Sequence, residues 1–255
     1  MDAPGVTIVA RPAGRPGKKI EHGAALFSRR YGQSSAVVIF DKVLVLWVRV
    51  SCAEEWEYSG ALTCHYATHH RHSCIGARAG FGDLLIGAGA LMCEANGFDP
   101  GEKSNLREPM AELIKITEGL FACGVASSVY NTCDGHSGGF MPEPVFANDG
   151  KLLLATQIYD VHRLAHEVLG GLIVALANTD EEHYPATAAT LSEVLRANPA
   201  LPYDKSIEVA HFVQDLTAPY QGGWYSVISL CQRFPLRNKT GNLTQLSGGQ
   251  QGCTG

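Results

Sequence analysis

From Tyr58 onward the apolar residues of this chain repeat on a helical period, and that constrains its fold more than any other feature. Within Ser104–Cys133, the residues Leu113, Ile116, Leu120, Phe121 and Val125 fall on one helix face. Pro144–Ala177 and Lys205–Cys231 read as further long helices. Tyr58–Ala95 reads as another, rich in small residues; its glycines cost helix propensity, while small residues let helix axes approach closely. Breakers separate these runs at Asn96–Gly101, Asp134–Pro144 and Asn198–Pro202. Four long helices with short links predict a bundle.

The first 57 residues have a different texture. Val6–Ala10, Ala36–Phe40 and Val43–Val50 are short Val/Ile-rich runs, and Asp41-Lys42 forms a turn between the last two. These are too few strands for a self-sufficient sheet, so they read as the last strands of a β-domain. The expected organisation is a partial β-domain over 1–57, a helical bundle over 58–232 and an irregular Gly/Gln/Thr-rich tail over 233–255. The fold class is mainly α.

Composition narrows the function. A net charge of −5 argues against a nucleic-acid partner. The most apolar stretch, Ala79–Ala95, carries Asp83 and is not expected to span a membrane. The 8 cysteines form no CxxC and read as reduced cytosolic thiols. The expectation is a soluble, cytoplasmic, enzyme-like chain.

Few motifs carry chemistry by themselves. His65, His69 and His72 share a helical face and could hold a metal, while His70 and Cys74 form an i, i+4 pair. No carboxylate stands at matching spacing, so hydrogen bonding to neighbours is the preferred role and no metal site is assigned. Leu246–Gln251 matches the signature loop of ABC ATPases, but the chain lacks the phosphate-binding GxxxxGK[ST] that such a loop requires. Gly170-Gly171 lies inside the apolar period of Pro144–Ala177. Two adjacent glycines mid-helix cost roughly 2 kcal/mol against alanine, which implies close backbone approach by a helix or a ligand.

Four segments together resemble a known family: Phe27–Asp41 (FSRRYGQSSAVVIFD), His70–Leu91 (HRHSCIGARAGFGDLLIGAGAL), Leu164–Val174 (LAHEVLGGLIV) and Phe212–Leu230. They look like the C-terminal half of the 4-hydroxyphenylacetate 3-hydroxylase / 4-hydroxybutyryl-CoA dehydratase family, over roughly residues 5–231. The resemblance implies a flavoenzyme with an acyl-CoA dehydrogenase-like fold, whose C-terminal part is a four-helix bundle, assembled as a homo-oligomer, usually a tetramer. A separate N-terminal-half subunit and a flavin reductase are the other partners it implies. It also implies FAD contact at His166, Glu167, Gly170 and Gly171, commonly with a flavin held by a neighbouring subunit. His70 becomes the candidate residue facing the active site.

The resemblance divides between two branches. In the dehydratase branch a [4Fe–4S] cluster stands beside FAD, and His70 aligns with its histidine ligand. Ala77 stands where a cysteine ligand is expected, Arg78 where a lysine is, and Ile228 where a carboxylate is. The two remaining cysteine ligands would belong to an N-terminal domain. A cluster is therefore not expected. The hydroxylase branch, which uses reduced FAD and O2 on a phenol, needs no metal and is the preferred expectation. A non-catalytic helical subunit is the alternative from another class.

Overall fold

The computed structural model describes residues 3–10, 27, 36–99, 101–102, 104–133, 138–177 and 179–218. The Leu246–Gln251 motif, the tail and Ile228 lie outside these residues.

β1 (Val6–Ala10) and β2 (Ala36–Phe40) form an antiparallel ribbon in register from Val6 opposite Phe40 to Ala10 opposite Ala36. The ribbon closes where Asp41 N–H donates to Gly5 O at 2.9 Å. Gly5 has φ +85°, and a Cβ there would lie 2.1 Å from Asp41 O. The third expected strand does not form. Lys42 takes a left-handed φ of +52°, which turns the chain away from β2. Among the described residues no strand lies beside 43–50, so its backbone groups turn inward instead, into a 3₁₀ turn at Trp47–Arg49.

The rest is helical: α1 (Ser59–Ala95), α2 (Ser104–Val129), α3 (Pro144–Val168), α4 (Thr179–Glu182), α5 (Ala188–Val194) and α6 (Tyr203–Thr217). α1, α2, α3 and α6 make the bundle. Helix α2 runs antiparallel to α1, since Thr117 meets Gly82, Met110 meets Gly89, and Ile75 meets Gly124. Glu143 caps α3 by accepting the Phe146 N–H at 2.8 Å, and Pro144 occupies the first turn, where its missing N–H is harmless. By length and composition α1 could cross a bilayer, but its exposed and buried positions alternate with the packing of α2 and α3 along one side.

Several boundaries differ from expectation. α2 stops at Val129, and Thr132–Cys133 pairs with Phe140–Met141 as a two-residue ribbon, β3 with β4. α3 stops at Val168 rather than running to Ala177. The 169–202 excursion carries α4 and α5, whose short helices leave no long periodic signal. α6 starts at Tyr203, and the expected continuation to Cys231 lies outside the described residues.

The core joins all four bundle helices: Ile75 and Leu85 of α1, Leu113, Ile116 and Leu120 of α2, Leu154 and Ile158 of α3, and Val213 and Leu216 of α6. Phe121 and Val125, expected on the same α2 face, are 58% and 44% exposed. They widen the apolar arc beyond what the neighbouring helices cover. The α1 glycines split into two sets. A Cβ at Gly82 or Gly89 would strike α2, whereas one at Gly76, Gly80 or Gly87 would meet nothing among the described residues within 4 Å.

Candidate functional site

The end of α3, the start of α2 and the end of α6 converge around an open cleft of about 910 Å³. Its walls include Asn105, Tyr159, His162, His166, Glu167, Gly170, Gly171 and Thr217. All four residues expected to touch a flavin, His166, Glu167, Gly170 and Gly171, therefore share one surface.

The two glycines are where they are because of backbone conformation. Gly170 has φ +65° and Gly171 φ +76°. Gly170 N–H donates to Glu167 O at 3.0 Å, and Gly171 N–H reaches back to His166 O at 3.3 Å. This pair of reversed bonds is a Schellman motif, which satisfies the last carbonyls of α3. The glycines thus end the helix rather than weaken its middle. Close approach by the described residues is not their reason, since a Cβ on either would meet none of their atoms within 4 Å. Their backbone faces open space in the cleft wall. Gly170→Ala should still cost about 1 kcal/mol, because an L side chain resists positive φ. Chemical denaturation at neutral pH measures that loss.

Two histidines one turn apart on α3 line the cleft. His166 Nε2 lies 2.7 Å from Thr217 Oγ1, and Thr217 Oγ1 itself donates to Val213 O at 2.6 Å. The threonine proton is already committed, so His166 carries its proton on Nε2 and keeps Nδ1 as an acceptor. Burial holds His166 below the ordinary histidine range. His162 is pushed down to about 4, by burial first and then by His166 and Arg78. Both rings are neutral at pH 7.

Glu167 points elsewhere than expected for a lone anion. Its Oε1 pairs with Arg163 Nη1 one turn back, and Arg163 Nε lies 3.7 Å from Asp160. Beside the cleft the excursion is fastened to α6 by a buried pair, His211 Nε2 with Glu182 Oε1 at 2.7 Å, and by Gln214 Nε2 donating to Ile173 O at 3.3 Å.

His70 is not in the cleft. It lies beside Lys151, which comes 15 residues before His166 on α3, or about 22 Å at 1.5 Å per residue. Its ring stacks on Tyr66 at 5.6 Å, and its Nδ1 is 4.0 Å from Cys74 Sγ, so the i, i+4 pair forms. Burial, then Lys151 and Arg71, hold His70 below its ordinary range. Arg71 is fixed by Asn148 Oδ1. His65 and His69 face outward, while His72 Nε2 reaches Ser128 Oγ at 3.3 Å. Among the described residues no three His, Cys, Asp or Glu side chains converge as metal ligands.

Sequence reasoning missed His162, Asn105, Tyr159 and Thr217. His162 and Tyr159 left a signal, standing four and seven residues before His166 and so on the same face. Asn105 and Thr217 reach the cleft from other helices.

Residues 59–231 match the family model described as 4-hydroxyphenylacetate 3-hydroxylase C terminal. The chain belongs to this family. A curated relative, the 4-hydroxybutyryl-CoA dehydratase/vinylacetyl-CoA-Δ-isomerase of Clostridium aminobutyricum, is 30% identical over 179 residues, covering 69% of this chain and 36% of the relative. Among solved structures, an oxygen-tolerant archaeal 4-hydroxybutyryl-CoA dehydratase from N. maritimus superposes with a TM-score of 0.80 at 23% identity, over 100% of this chain and 53% of that one. The oxygenase component of 4-hydroxyphenylacetate 3-monooxygenase, complexed with FAD, superposes with a TM-score of 0.81 at 18% identity, over 96% and 50%. Members of the family are flavin-dependent enzymes, and the shared fold is the acyl-CoA dehydrogenase type. The chain spans about a third of the curated relative and about half of each solved chain.

Proposed function

We propose that this chain is the FAD-contacting, oligomer-forming C-terminal part of a cytoplasmic flavin-dependent oxidoreductase, resembling 4-hydroxyphenylacetate 3-hydroxylase in using reduced FAD and O2 for aromatic hydroxylation. The observation that carries it is the cleft, where His166, Glu167, Gly170 and Gly171 meet. Its residues fit a flavin nucleotide: neutral histidines, an amide, a phenol and a threonine offer hydrogen bonds, and the bare Gly170-Gly171 backbone leaves room for a flat group. The flavin supplies the redox chemistry when bound. This chain's residues orient it, hydrogen-bond it and exclude water. His70, at the other end of α3, serves a separate surface, which suits a homo-oligomer in which one bundle borders two flavins.

Exposure supports a partner. Phe40 is 70%, Trp47 79% and Val48 88% exposed, and a two-stranded ribbon is at best marginally stable alone. Further strands, from a separate N-terminal-half chain or a longer form of this one, would cover them. A flavin reductase is the remaining partner.

A dehydratase-like activity is the second reading, favoured by the 30% identity to the curated relative. Ala77 disfavours it, since alanine offers no ligand atom at the position of a cluster cysteine.

The test is the visible spectrum of anaerobically purified protein after FAD is added and the excess removed. A retained flavin band without an iron–sulfur shoulder is expected, and His166→Ala should weaken FAD binding about tenfold through one lost hydrogen bond. A shoulder bleached by reductant would favour the dehydratase-like reading. A colourless protein, even after mixing with the N-terminal half of a family member, would overturn flavin contact.

A further inference from the structure

Beneath the cleft lies a second, interior cavity. It holds about 20 Å³ of space for a water-sized sphere, and His162 forms part of the wall of both. Most of its lining is apolar, including Phe81, Leu85, Leu154 and Leu216. Four polar side chains break that lining, drawn from three bundle helices: Arg78 of α1, Thr117 of α2, and Gln157 and His162 of α3. Gln157 Oε1 is buried and has no hydrogen-bond partner. A buried carbonyl oxygen left in that state costs about 1–3 kcal/mol.

We propose that a single structural water molecule occupies this cavity and joins α1, α2 and α3 directly below the cleft floor. The volume suits one water, which needs about 10–15 Å³ measured this way. The chemistry selects water over an ion. Thr117 Oγ1 donates its proton to Leu113 O at 2.9 Å, so its oxygen remains as an acceptor in the same lining as Gln157 Oε1. Arg78, only 8% exposed, adds guanidinium N–H donors to the lining. Two neutral oxygens are too few to ligate a bare cation, and an anion would face both of them. Water donates to both oxygens and accepts from Arg78. Flavin binding plays no part in this assignment.

Oxygen-17 magnetic relaxation dispersion counts long-lived internal waters in the intact chain. Gln157→Leu should hold one fewer than the wild type, and a high-resolution crystal structure of the wild type should show one ordered water within hydrogen-bond distance of Gln157 Oε1. Thr117→Val, nearly isosteric, provides a second variant should Gln157→Leu not fold, and it should shorten that water's residence time. An unchanged water count in Gln157→Leu, or an unchanged residence time in Thr117→Val, would overturn the proposal. So would a wild-type crystal pressurised with xenon in which the gas fills the cavity and no water is seen.

Discussion

Gly82→Ala should destabilise the protein by about 3 kcal/mol, while Gly76→Ala on the same helix should stabilise it by up to about 1 kcal/mol. A Cβ at Gly82 would lie 2.2 Å from Thr117 Oγ1, 2.6 Å from Thr117 Cγ2 and 2.9 Å from Thr117 Cβ. Thr117 cannot swing aside. It is 1% exposed, and its hydroxyl is bonded to Leu113 O. The α1–α2 seam must therefore open, which strips contacts from the rest of the core. At Gly76 the added methyl meets nothing among the described residues within 4 Å, so only the gain in helix propensity remains. Urea denaturation of the two variants side by side measures both signs. A tolerated Gly82→Ala would mean that the seam is looser than the packing requires. A destabilising Gly76→Ala would mean that another chain covers that face.

Acid should weaken the fold through His162. In the unfolded chain this imidazole takes up a proton near the ordinary 6.5, but in the fold it resists until about 4. Between those values the unfolded state binds more protons, so stability falls as the pH drops from about 6.5 to about 4 and levels off below. At 1.36 kcal/mol per unit the loss is about 3 kcal/mol. His166, also held low by burial, adds to the loss with the same sign. The check is unfolding free energy against pH for the wild type and His162→Leu. The wild type should slope through that window, and the variant should be flatter by about the His162 contribution. Equal slopes would show that the ring is not kept neutral by burial.

Much of the helical architecture was legible because burial on one helix side writes a 3.6-residue period into the sequence. Leu113, Ile116 and Leu120 announced α2, and the start of α3 was placed at Pro144, where it stands. The ends were less legible. Gly170-Gly171 looked like a fault within one helix, because the apolar period continues past them through Leu172 and Ile173. Only the positive φ angles identify the pair as a terminus. Val43–Val50 has the composition of a strand, but composition cannot supply the neighbouring strand that would accept its hydrogen bonds.

The candidate site divides along the same line. His166, Glu167, Gly170 and Gly171 lie within six consecutive residues, so their proximity was certain once a helix end was known to stand there. By itself the sequence determined the bundle class, the family resemblance and this local group, because each depends on residue types at short separations. Tertiary structure alone decided that Thr217 fixes the His166 tautomer, that Asn105 joins the cleft, and that His70 lies at the far end of α3. It also decided which α1 glycines are packed against α2 and which face outward. These facts depend on contacts between residues far apart in the chain, and helix packing sets such contacts through the summed fit of many side chains, which no local pattern records.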